Sequence, residues 1–178
     1  MKKVLAALVA LVLVLGCVSV LAEGDIVVLY QSDIKADKRD GWMANNCTVT
    51  PDDEGVLTVT GRTAAWQAPQ HVFKLQAGVE YTISFEVYQE AFDEVVISIT
   101  ANCKIDGAQA YVHLLGSDEE EAVKGLVKKG EWTTIETTYT FESEPADCFL
   151  YIETIGDDTA TMEYKVRNIV IKGPEGAL

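Results

Sequence analysis

The residues best suited to recognition lie together in Gly61-Arg62-Thr63-Ala64-Ala65-Trp66-Gln67-Ala68-Pro69-Gln70. A strand ends in Gly-Arg, small residues lead to a lone Trp, and a polar turn precedes a strand beginning near His71. Ala64 and Ala65 leave the indole uncrowded. Sugar rings present apolar C–H faces that stack on flat aromatics, while their hydroxyls need amide, carboxylate or guanidinium partners. Trp66 between Arg62 and Gln67 offers both, with burial in a core as the alternative for this residue type.

Covalent chemistry finds less support. Twenty-eight acids guarantee some carboxylate pair on paper, but a glycosidase needs two at a defined separation across a cleft, and no pair stands out. The only imidazoles, His71 and His113, fall inside strand-like runs and read as structural or exposed. No G-x-S-x-G, H-E-x-x-H or phosphate-cradling glycine loop occurs. The chain is read as non-catalytic, without a cofactor.

The elements that must position Trp66 are short strands. Val79 to Tyr88 alternates, with Tyr81, Ile83, Phe85 and Val87 on one face and Thr82, Ser84 and Glu86 on the other. Gly55 to Thr60, Val95 to Thr100, Tyr111 to Leu115, Trp132 to Phe141, Cys148 to Glu153 and Tyr164 to Ile171 complete the set. Gly, Pro and Asp punctuate them, and no helical period separates them. This pattern predicts an all-β, antiparallel sandwich or barrel. Trp42 and Trp132 are expected to anchor its core. Ser117 to Lys129, with the acidic run Asp118 to Glu121, reads as a solvated loop with one or two helical turns.

Met1-Lys2-Lys3 followed by the apolar run Val4 to Leu15 and the small-residue site Val20-Leu21-Ala22 reads as an export signal. The expected organisation is a signal peptide at 1–22, a sandwich domain at 23–173 and a short frayed tail at 174–178. Cys17 is either removed with the leader or lipidated as a surface anchor. The mature protein is therefore expected to be secreted or held at the cell surface, without inserting in a membrane. Losing residues 1–22 removes two lysines and no acid, which takes the net charge from −14 to −16. Such acidity argues against nucleic acid as a partner and is neutral toward an uncharged polysaccharide. Cys47, Cys103 and Cys148 remain, with no C-x-x-C spacing, and leave the pairing of any disulfide open.

The segments Gly61 to Trp66 and Gly78 to Val87 resemble carbohydrate-binding modules of the family 4, 9 and 22 type. Gly130-Glu131-Trp132, the Ile135 to Phe141 strand and Leu150 to Thr154 followed by Gly156-Asp157-Asp158 agree in order and spacing. The likeness runs from about Asp33 to Ile171 and is strongest to the xylan-binding modules of family 22. It implies a jelly-roll β-sandwich of two antiparallel sheets with a groove across the concave one.

The resemblance also implies a set of ligand contacts. Trp66 matches the stacking platform, Tyr111 a mid-domain tyrosine and Glu153 a hydroxyl acceptor. Phe149 stands where the xylan binders carry Tyr, and Asn45 where they carry Arg. Arg62 and Gln67, read from their place beside Trp66 rather than from the resemblance, complete the expected set. Arg167 and Ala36 occupy positions where related modules place calcium-ligating acids, so no metal is expected. The implied function is non-catalytic binding of a β-linked polysaccharide by a monomer, xylan first and a β-glucan second. The rivals are an accessory part of a glycoside hydrolase and an envelope sandwich that binds protein.

Overall fold

The computed structural model describes residues 25–115 and 123–178. Two antiparallel sheets face each other as a jelly-roll sandwich. The first has the order β10-β6-β12-β4-β3, with β1 also on β12. Its strands are β1 (Ile26–Gln31), β3 (Thr48–Pro51), β4 (Leu57–Thr60), β6 (Glu80–Gln89), β10 (Thr133–Thr140) and β12 (Tyr164–Pro174). The second has the order β2-β5-β11-β7-β8, with β9 also on β7. Its strands are β2 (Met43–Asn45), β5 (Ala68–Val72), β7 (Glu94–Ile105), β8 (Ala108–Leu115), β9 (Leu126–Lys128) and β11 (Ala146–Thr154).

The core follows from period-two alternation. Tyr81, Ile83, Phe85 and Val87 of β6 are buried, as are Tyr164, Val166, Ile169 and Ile171 of β12. They meet Ile97, Ile99, Ala101 and Cys103 of β7 and Cys148, Leu150 and Ile152 of β11. The intervening residues of β11, namely Phe149, Tyr151 and Glu153, are therefore directed to the outer face of the second sheet, where each is half-buried.

Trp42 meets its expectation, and several others need correction. Trp42 is buried in the core, and its indole N–H donates to Tyr30 Oη at 3.0 Å. Trp132 is only half-buried. It packs on Tyr88, from the outer side of β6, with ring centroids 5.5 Å apart, and beneath the Arg167 guanidinium at 3.9 Å. Arg167 Nε also donates to Glu86 at 2.6 Å, so this cation and its neighbours cover the indole. The strand expected near His71 begins at Ala68. Of the expected Ser117 to Lys129 loop, residues 117–122 lie outside those described, and Leu126–Lys128 is a strand paired with Glu94 to Val96. The expected frayed tail is held in place: Ala177 is buried and its carbonyl accepts from Tyr81 Oη at 2.7 Å. Residues 1–24, which include the expected leader and Cys17, are outside the described residues.

Candidate carbohydrate-binding groove

A groove of about 520 Å³ crosses the outer face of the second sheet, lined by Asn45, Trp66, Thr100, Asn102, Tyr111, His113, Tyr151 and Glu153. The strand registers explain the assembly. Tyr151 of β11 pairs with Thr100 of β7, which pairs with His113 of β8. One step along, Phe149 pairs with Asn102, which pairs with Tyr111. Glu153 lies opposite Ser98. The floor is thus a set of rungs read by alternate residues of three adjacent strands. Asn45 comes from the opposite edge strand, β2, and Trp66 from the loop that leads into β5.

Trp66 and Tyr111 are the exposed aromatic surfaces, at 52% and 69% of their full accessibility. Two exposed rings at one hollow, each with an apolar face and a polar tip, form the kind of surface at which Trp and Tyr are enriched in binding sites. The polar groups lie between them. Glu153 accepts from Thr100 Oγ1 at 2.5 Å, and Thr100 Oγ1 lies 3.1 Å from His113 Nδ1. Burial raises the Glu153 carboxyl above its ordinary pKa, and the Thr100 hydrogen bond and the His113 and Arg62 charges only partly oppose this. Asn102 Nδ2 reaches Tyr151 Oη at 3.5 Å and Asn102 Oδ1 accepts from Gln109 Nε2. Burial also raises the Tyr151 phenol.

Arg62 and Gln67 do not line the groove; they build the loop that carries Trp66. Arg62 is 3% exposed, and all five guanidinium N–H groups are used. Nε donates to Gln67 O at 2.7 Å, Nη1 to Thr159 O at 3.2 Å and Met162 O at 2.9 Å. Nη2 donates to Ala65 O at 2.6 Å and Thr154 Oγ1 at 2.5 Å. The guanidinium also lies 5.0 Å from the centre of the Tyr164 ring. Gln67 is buried too, and its Oε1 accepts from Thr63 N at 2.6 Å and Ala64 N at 3.3 Å. Gly61 has φ +67°, which begins the turn where a residue with a Cβ would be strained. The loop is pinned from beneath, so its indole is presented without needing contacts of its own.

Phe149 lines a neighbouring depression of about 340 Å³ with Val72, Asn102, Lys104, Gln109 and Asp147. Asn102 belongs to both hollows, so Phe149 lies beyond one end of the main groove. Thr100, Asn102 and Tyr151 were not singled out from sequence, and His113, read there only as structural or exposed, lines the groove. Alternation alone was a sufficient signal for Tyr151, which lies between Phe149 and Glu153 on one face of one strand. His71 is structural: its ring stacks on Phe73 at 4.2 Å, and Nε2 lies 3.1 Å from Asp40 O.

Comparison with known proteins agrees with this architecture. The family model described as "Carbohydrate binding domain" matches residues 28–161, and the chain belongs to that family. No curated protein sequence matches it. The CBM22-1 xylan-binding domain of Paenibacillus barcinonensis Xyn10C is similar in structure, with 20% identity and a TM-score of 0.68 over 86% of this chain and 97% of that one. The C-terminal family 22 module of Clostridium thermocellum Xyn10B gives 16% identity and a TM-score of 0.62, over 88% and 98%. The CBM22-1–GH10 modules of C. thermocellum Xyn10B, complexed with xylohexaose, give 16% identity and a TM-score of 0.66. There the chain covers 82% of its own length but only 28% of that larger protein. The protein is a carbohydrate-binding module with the fold of the family 22 xylan-binding domains.

Proposed function

We propose that the protein binds a β-linked polysaccharide, xylan or a β-glucan, along the groove and performs no covalent chemistry on it. The observation that carries this reading is the pair of exposed rings, Trp66 and Tyr111, at a groove whose floor offers Glu153, Asn102, Asn45, Thr100, His113 and Tyr151. The rings would stack on sugar faces and supply most of the affinity, and the polar floor would select hydroxyl positions. Phe149 would extend the contact at one end. Arg62 and Gln67 would act only by holding Trp66 in place.

Glu153 is the single carboxylate lining this groove among the described residues. Hydrolysis by the usual paired-carboxylate route would need a second across the scissile bond, which favours binding over turnover. On this reading the mature chain works as a monomer outside the cell, as an accessory to enzymes that act on the same polymer. Calorimetric titration with oligosaccharides of xylose, β-linked glucose, mannose and N-acetylglucosamine tests it. Saturable binding of the xylose or β-glucose series, with no product formed on long incubation, is expected. Heat only from mannan or chitin fragments, or cleavage of any of them, would contradict it.

A further inference from the structure

We infer that Cys103 and Cys148 form a disulfide that clamps β7 to β11 beneath the groove. They lie on neighbouring antiparallel strands at an irregularity in the register. Phe149 pairs with Asn102 and Ala146 with Lys104, so Asp147 and Cys148 together oppose Cys103. Asp147 has φ +50°, the left-handed conformation that a bulge of this kind uses. Both cysteines are on the core face, with 0% and 1% exposure, and both are free thiols in the structure. Each thiol also acts on the protonation of the other. Opposed residues of a regular antiparallel pair lie about 4.5–5.5 Å apart at Cα, and a disulfide spans up to about 6.8 Å, which leaves room for the displacement that a bulge introduces.

Cys47 has different surroundings. It is half-buried, and the groups whose charges act on its thiol or feel it are Arg62 and Tyr164, not the other two cysteines. Among the described residues, one isolated thiol is thus separate from one matched pair.

Burial also constrains when the bond forms. In the folded protein the Cys148 thiol is pushed up to about 12, chiefly by desolvation and then by its partner. A thiol that stays protonated is a poor nucleophile, so the reaction belongs to the unfolded or partly folded chain. The oxidant is a disulfide of the export compartment or of its thiol–disulfide oxidoreductases. One cysteine thiolate attacks that disulfide, forms a mixed disulfide and expels one thiolate. The second cysteine thiolate then attacks the protein-side sulfur and expels the other. Two electrons pass to the oxidant, whose two sulfurs take up the two protons, and the protein gains one S–S bond.

Full-length chain with Cys17→Ala, refolded from denaturant in a mixture of reduced and oxidised glutathione, tests this. Alkylation and peptide mapping should find a Cys103–Cys148 linked peptide and an alkylated Cys47. Tm should drop by roughly 5–10 °C when reductant is added during unfolding. A Cys47→Ser variant should keep both results. The Cys103→Ala/Cys148→Val double variant should lose the sensitivity to reductant, and if it fails to fold, mapping of the Cys47→Ser chain decides. Recovery of all three thiols free after oxidative refolding, or a bond to Cys47, would overturn the inference.

Discussion

Trp66 and Arg62, four positions apart, divide one task between them. The ring is open to solvent and the cation is sealed beneath it with every donor occupied. Their substitutions should therefore fail differently. Trp66→Ala is expected to weaken oligosaccharide binding by about 2 kcal/mol, roughly thirty-fold, with Tm nearly unchanged. Arg62→Ala strands several buried carbonyls and should cost about 2–4 kcal/mol of stability, with binding falling as a consequence. Arg62→Lys should not restore it, because an ammonium cannot reach five acceptors in a fork. Thermal melts beside titrations separate the two cases. Glu153 gives a third prediction. Burial raises its pKa in the folded state, so the stability its neutral form contributes is complete below the unfolded value and is lost as pH rises through the raised one. At pH 7 the carboxylate is thus a cost to the fold. Glu153→Gln should raise Tm at neutral pH, flatten its acid-side pH profile and weaken the ligand, as the wild type should when pH falls through the raised pKa.

Among the elements, long central strands were legible and short edge strands were not. Val79 to Tyr88 alternates over ten positions, and β6 (Glu80–Gln89) follows it almost residue for residue. β2 and β9 have three residues each, too few for a period to show, and are strands only because β5 and β7 offer open edges. The groove was legible to the same extent. Trp66, Tyr111, Glu153 and Asn45 were named from sequence and come together at one hollow. Arg62 and Gln67 were named for the same role because polar residues beside an exposed ring look like ligand groups. Sequence does not say that a loop must satisfy its own carbonyls first. Trp132 was misread as core for a related reason: its cover is Arg167 and Tyr88, side chains brought over it by a strand pairing remote in sequence. At this scale Gly41 is the sharpest test. A Cβ there would lie 2.3 Å from His71 Nε2, and φ is +85°. Gly41→Ala should lose about 2–3 kcal/mol by denaturant titration, since strain and overlap act together.

For the molecule as a whole, the sandwich is a support whose two sheets have separate duties. The first sheet closes the core, receives the C-terminal residues and covers Trp132 with charge. The second turns its polar alternate residues outward as the groove. Truncation after Pro174 removes the acceptor of the buried Tyr81 hydroxyl. It should lower stability by about 1–2 kcal/mol while leaving oligosaccharide affinity intact.

The most direct test follows the three indole N–H resonances by NMR as soluble xylo- or β-gluco-oligosaccharide is added. The Trp66 signal should move and saturate with ligand, while those of Trp42, locked on Tyr30, and Trp132, under Arg167, stay in place. A saturating shift at Trp42 or Trp132 with Trp66 unmoved would contradict it.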